Sequence, residues 1–129
     1  MEHKHLLVNA TFTSSPFKTT DFTSDWLKFI VSKIDMELLY HPVSVHCDTP
    51  NNEGISAFCL ITTSHIALHS WEKTNPNLVQ LDVYSCKDFS HHLILDELRQ
   101  FSPITIGCKY LDRSLENTKG WQMGSEWGI

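Results

Sequence analysis

The stretch ISAFCLITTSHIALHSW, residues 55–71, decides how the chain is read. It divides into two apolar runs, 55–62 and 64–71, each of strand length and bounded by turn signals. If the two pair as a hairpin, Thr62-Thr63-Ser64 is too short for a relaxed loop, and backbone strain is expected at the connection. The second run carries Ser64-His65 and His69 where valine or isoleucine would serve a buried strand equally well. Strand alternation puts His65 and His69 on one face. These polar groups therefore ask for a chemical reason.

Outward from the hairpin, turn chemistry and periodicity mark the neighbours. DTPNNEG, 48–54, is a loop, and EKTNPN, 72–77, is the turn that leads to a further strand over 78–85. PVSVHC, 42–47, alternates like a strand, and KHLLVNATFT, 4–13, reads as the first strand. Phe22, Trp26, Ile30, Ile34 and Leu38 recur every fourth residue, with Leu27 and Val31 beside them, and predict a helix over 21–40. Thr20 or Asp21 is placed to cap it, and His41-Pro42 to stop it. Trp26 and Phe29 read as core. A second helix is predicted over 87–101, with Phe89, Leu93, Ile94, Leu98 and Phe101 on one side and His91-His92 on a solvated one. PITIGCKY, 103–110, is a last strand. The order β-α-β-β-β-β-α-β predicts a two-layer α+β sandwich, a mainly antiparallel sheet with two helices on one face. The tail, 112–129, is expected either to lie loose or to dock through Trp121 and Trp127.

The chain has 129 residues, read as a single domain over 1–129, with 41% apolar and 19% charged residues. A net charge of −5 without a basic stripe argues against a nucleic-acid partner. No run approaches the roughly 18 apolar residues of a membrane span, and the N-terminus lacks a signal-peptide layout. Asn9-Ala10-Thr11 fits a glycosylation pattern but reads as chance. Cys47, Cys59, Cys86 and Cys108 show neither zinc-ribbon nor disulfide-scaffold spacing, so free thiols in a cytoplasmic protein are expected. No ligand spacing recommends a metal site built from His65, His69, Cys86 and Cys59.

Several separated motifs then fall in one order. They are Gly54-x-Ser56, an apolar strand ending in Ser64-His65, His69-Ser70-Trp71, and Asp82-Val83-Tyr84-Ser85-Cys86. The segment 54–88 resembles the prokaryotic S-adenosylmethionine decarboxylases, the pyruvoyl-dependent proenzyme family. KHLLVNATF is similar to that family's opening strand. Three features differ. Thr63 stands where the family usually has glutamate, Glu72 follows Trp71 where it has proline, and the connection from Trp71 to Cys86 is about two residues longer.

The resemblance implies a chemistry. Removing carbon dioxide from an α-amino acid leaves a carbanion that needs an electron sink. The family makes its sink from its own backbone. Ser64 Oγ attacks the Thr63 carbonyl, the amide becomes an ester, and elimination followed by hydrolysis leaves a pyruvoyl group at position 64. The chain is thereby cut between Thr63 and Ser64, and the new ketone holds the substrate amine as a Schiff base. His69 is implied as the proton carrier of the elimination, because a neutral imidazole exchanges protons near neutral pH. Cys86 is implied to protonate the substrate carbon, and Ser56 to assist by a hydrogen bond. Glu72 is implied to bind the ribose hydroxyls, in a small-molecule site whose sulfonium and adenine suit aromatic walls and a carboxylate. A homodimer, two sheets face to face with the site near their interface, is implied as well, serving polyamine (spermidine) synthesis. Two other readings stay open. One is a pyruvoyl-dependent decarboxylase of arginine or ornithine. The other is an unprocessed, non-catalytic homologue that acts as a binding or regulatory partner.

Overall fold

Alternation in four neighbouring strands builds the core. Leu6, Val8, Ala10 and Phe12 point one way from the first strand. Ile55, Ala57, Cys59 and Ile61 do so from the third, Ile66 and Leu68 from the fourth, and Val79, Leu81 and Val83 from the fifth; all are buried. The computed structural model describes residues 1–120. Its elements are β1 (Lys4–Phe12), α1 (Thr20–Lys33), β2 (Leu38–Cys47), β3 (Gly54–Ile61), β4 (Ser64–Trp71), β5 (Asn77–Ser85), α2 (His91–Arg99) and β6 (Thr105–Asp112), followed by a 3-10 turn, Leu115–Gly120. The six strands form one sheet in the order β2-β3-β4-β5-β1-β6, with every neighbouring pair antiparallel. Both helices lie on one face of it. Trp26, Leu27, Ile30 and Val31 of α1 and Ile94, Leu95 and Leu98 of α2 complete a single buried cluster with the strands. Each such fully buried aliphatic side chain contributes about 1.5–3 kcal/mol. The expected architecture and element order are therefore observed.

Several boundaries differ from expectation, each for a local reason. Helix α1 begins behind Thr19, whose side chain accepts a hydrogen bond from Phe22 N–H, and it ends at Lys33 rather than near residue 40. Asp35 takes a left-handed φ of 59°, which the helix cannot continue through. The apolar period runs on through Leu38 only because Leu38 pairs with Ile61 in the sheet. Pro42 lies inside β2, not at a helix end. It is tolerated there because β2 is an edge strand and its register slips between Tyr40 and Val43. Helix α2 is shorter than predicted, His91 to Arg99. Phe29 is 46% exposed, not core, and carries the Lys33 ammonium over its ring at 6.0 Å. The four cysteines are unpaired, and burial pushes the Cys59 thiol up to about 11, which keeps it protonated. No helix among the described residues is long and apolar enough to cross a membrane. The tryptophans of the tail lie outside the described residues.

The 48–54 loop returns to the sheet through Gly54, at φ +155°, where an added Cβ would stand 1.8 Å from the Ser70 carbonyl oxygen. Only glycine lets β3 start this close to β4. Gly54→Ala should destabilise the fold by about 1–3 kcal/mol or more. A urea titration should show a lower midpoint with an unchanged slope.

Candidate functional site

The hairpin tip joins Ile61 to Ser64 through Thr62 and Thr63 alone. Two-residue hairpins favour turns with positive φ at the central positions, usually asparagine and glycine. β-branched threonines resist that conformation. Neither threonine adopts a positive φ, and the displacement falls on the next residue: Ser64 sits at φ +149°. A non-glycine residue there stores of the order of 1–3 kcal/mol. The strain expected at the connection is thus located on the serine itself.

Three interactions fix Thr63. The Cys86 N–H donates to the Thr63 carbonyl oxygen at 2.8 Å. Ser85 Oγ donates to Thr63 Oγ1 at 3.0 Å, and Thr63 Oγ1 in turn reaches Met36 Sδ at 3.2 Å. Register explains the first of these. Ser64 lies opposite Ser85 in the β4–β5 ladder, so the residue after Ser85 meets the residue before Ser64. The carbonyl between Thr63 and Ser64 is therefore polarised by a fixed donor, the arrangement that stabilises charge on an oxygen under nucleophilic attack. The parts played here by Ser85 and by the Cys86 backbone were not read from the sequence, because both depend on cross-strand register.

Ser56 and His69 form a second group. They lie opposite one another in the β3–β4 ladder, and Ser56 Oγ is 2.9 Å from His69 Nδ1. Both are on the sheet face away from the helices, as is His65, in keeping with the expected alternation. Five residues of strand separate Ser64 from His69, about 16 Å. Cys59 faces the core instead, so it does not converge with the histidines. Among the described residues no three His, Cys, Asp or Glu side chains gather as metal ligands.

The uncovered face has a polar centre and an apolar flank. A groove of about 480 Å³ runs over its middle, lined in part by Leu7, Asn9, His69, Gln80 and Lys109. Beside it Arg113 donates to His5 Nδ1 at 3.0 Å, and His5 Nε2 is 2.6 Å from Asp82 Oδ1. Since arginine only donates, His5 Nδ1 accepts in the first contact, while Nε2 faces the Asp82 carboxylate. The Arg113 guanidinium also stacks 4.6 Å from the Tyr84 ring centre. Towards β2 the same face exposes Tyr40, Val45, Phe58 and Leu60, a contiguous apolar patch of the kind that marks an interface.

Glu72 lies at the far end of β4, with its carboxylate 2.7 Å from His46 Nε2. His46 Nδ1 is 2.8 Å from Asp48. The hydrogen bond to Glu72 and the charges of both acids hold the His46 imidazolium, raising its pKa against the opposing effect of desolvation.

The same architecture occurs in a crystal structure of the adenosylmethionine decarboxylase from Aquifex aeolicus VF5. That likeness has a TM-score of 0.73 and 20% sequence identity, over 88% of this chain and 92% of that one. Residues 4–114 match the family model described as S-adenosylmethionine decarboxylase. The chain belongs to the S-adenosylmethionine decarboxylase family.

Because the folded-state pKa of His46 is raised, its pairing stabilises the fold fully below the ordinary imidazole value of 6.5 and the benefit is lost as pH rises through the folded value. An NMR titration should place the His46 midpoint above 6.5, and Glu72→Gln should bring it down.

Proposed function

We propose that the chain cuts itself between Thr63 and Ser64 and then decarboxylates S-adenosylmethionine, supplying the aminopropyl donor for spermidine synthesis. The observation that carries this reading is the scissile linkage itself: a strained Ser64 at φ +149°, joined to a carbonyl that accepts from Cys86 N–H at 2.8 Å. Family membership supports the enzyme class, over residues 4–114.

In this reading Ser64 Oγ attacks the Thr63 carbonyl carbon while Cys86 N–H holds the developing oxyanion. Transfer of the acyl group from nitrogen to oxygen opens the peptide bond and relaxes the backbone at Ser64. A base removes the Ser64 α-proton, the Thr63 carboxylate departs, and hydrolysis of the remaining imine releases ammonia. Only the carbonyl of residue 63 reacts, so threonine there serves the chemistry as glutamate would. The resulting pyruvoyl group supplies a ketone that captures the substrate amine and accepts the electrons released with carbon dioxide. Cys86, on the same hairpin-tip cluster, returns a proton to the substrate carbon. His69 carries protons during the elimination, and Ser56 orients its ring.

The separation of about 16 Å between Ser64 and His69 along one strand supports an intermolecular division of labour. A two-fold homodimer packed through the uncovered sheet faces would bring the Ser56–His69 pair of one chain to the Ser64–Cys86 end of the other. The exposed Val45, Phe58 and Leu60 support such packing.

Intact mass of the purified wild type should show two pieces, 1–63 and 64–129, and the second should react with hydroxylamine. Ser64→Ala should leave one chain and abolish carbon dioxide release together with cleavage. An uncleaved, hydroxylamine-inert wild type would reduce the resemblance to a shared scaffold. Ser64→Ala and His69→Ala, each inactive alone, should regain up to about a quarter of wild-type activity when mixed subunits assemble, because one of the two sites in each hybrid is then intact. No recovery from demonstrated hybrids would place the whole site within one chain.

A further inference from the structure

The hairpin tip is gripped from both sides. Thr62 N–H donates to the Glu37 carbonyl oxygen at 3.0 Å, and Cys86 N–H donates to that of Thr63 at 2.8 Å. The Lys87 ammonium, 3.4 Å from the Asp35 carbonyl oxygen, ties the two flanking segments to each other. Within this grip the Thr63 side chain is the middle link of a directed chain. Lys87 N–H donates to Ser85 Oγ at 3.0 Å, Ser85 Oγ donates to Thr63 Oγ1 at 3.0 Å, and Thr63 Oγ1 donates to Met36 Sδ at 3.2 Å. One end is a backbone N–H, which only donates, and the other a thioether, which only accepts. Each hydroxyl between them therefore gives its single proton once and receives one, and neither is free to turn. Ser85 and Met36 are both buried, so a link removed here leaves its buried partner bare.

We infer that Ser85 and Met36 form a socket selective for threonine at position 63, which holds the scissile carbonyl for attack, an inference that rests on the self-cleavage proposed above. Backbone strain such as that at Ser64 persists only where the surroundings over-determine it. The bond from Cys86 N–H fixes one atom of residue 63 and the side-chain links fix a second. Two fixed points stop the scissile peptide plane from rotating. Threonine meets both demands of the socket. Its hydroxyl completes the chain of hydrogen bonds, and its β-branch restricts χ1. Valine has the branch without the hydroxyl and leaves the Ser85 proton unpaired. Serine has the hydroxyl without the branch. Glutamate, which the family usually has here, would bring a carboxylate to a buried thioether that offers it no proton; within the socket only the Ser85 hydroxyl could donate to it. In this chain glutamate is therefore the wrong residue for the place. Ser85 and Met36 act through Thr63 and are positioning residues.

The test follows first-order cleavage of the full chain made by cell-free translation, read as conversion of residues 1–129 into 1–63 and 64–129. Thr63→Val and Ser85→Ala should each slow cleavage about tenfold, and the two together no more than either alone, because they remove the same bond. Thr63→Ser should stay within about threefold of wild type, and Thr63→Glu should fall at least about tenfold below it. Hydroxylamine, which intercepts the ester, should cut Ser85→Ala more slowly than wild type by the same factor, since the loss falls on acyl transfer. Carried on the uncleavable Ser64→Ala chain, Thr63→Val and Ser85→Ala should stay folded at the assay temperature by circular dichroism. Cleavage of Thr63→Glu at or above the wild-type rate, a double variant slowed about a hundredfold, or slowing that merely follows loss of folded chain would each overturn the socket. If wild type is cleaved and the variants match its rate, the proposed function stands without the socket. If wild type itself stays whole, the function fails and the socket with it.

Discussion

The hydrogen bond from Cys86 N–H to the Thr63 carbonyl, 2.8 Å long, joins the tip of one hairpin to the strand beside it, and the proposed chemistry hangs on that contact. It exists because β4 and β5 pair with Ser64 opposite Ser85. A slip of one residue would turn His65 and His69 to the helix side and carry the donor away from the carbonyl. The alternating apolar residues of β3, β4 and β5 resist such a slip, since it would expose the core. Core packing and site geometry are in this sense one constraint. The two threonines add the second element. They close the turn without adopting positive φ, so the distortion passes to Ser64, the residue whose backbone the proposed cleavage relaxes.

The polar side chains of the sheet separate into distinct groups. Thr63, Ser64, Ser85 and Cys86 occupy one end, and Ser56, His69, Trp71 and Glu53 lie towards the other. The helices cover one face and leave the other bare, with histidines, Asp82 and Gln80 at its centre and an apolar flank on β2 and β3. A bare sheet face with this composition suits packing against a partner, and the proposed function, which needs the two separated polar groups together, calls for one as well. Isologous packing answers both with a single two-fold axis.

Much of the molecule was legible in the sequence. Period-two patterning in 55–71 and 78–85 and period-four patterning from Phe22 gave the element order, because burial on one face writes itself into composition. The ordered spacing of Gly54, Ser56, Ser64-His65, His69 and Cys86 gave the family. The end of α1 was less readable. Leu38 continues the helical period, and only its pairing with Ile61 shows that the chain has already become a strand.

What the sequence determined by itself is therefore the class of fold and the set of chemically able side chains, since both follow from residue type and local spacing. Tertiary structure decided which of those side chains meet. Ser64 and His69, neighbours in sequence, lie about 16 Å apart because an extended strand advances roughly 3.3 Å per residue. Thr63 and Cys86, distant in sequence, touch through their backbones because two strands share a register.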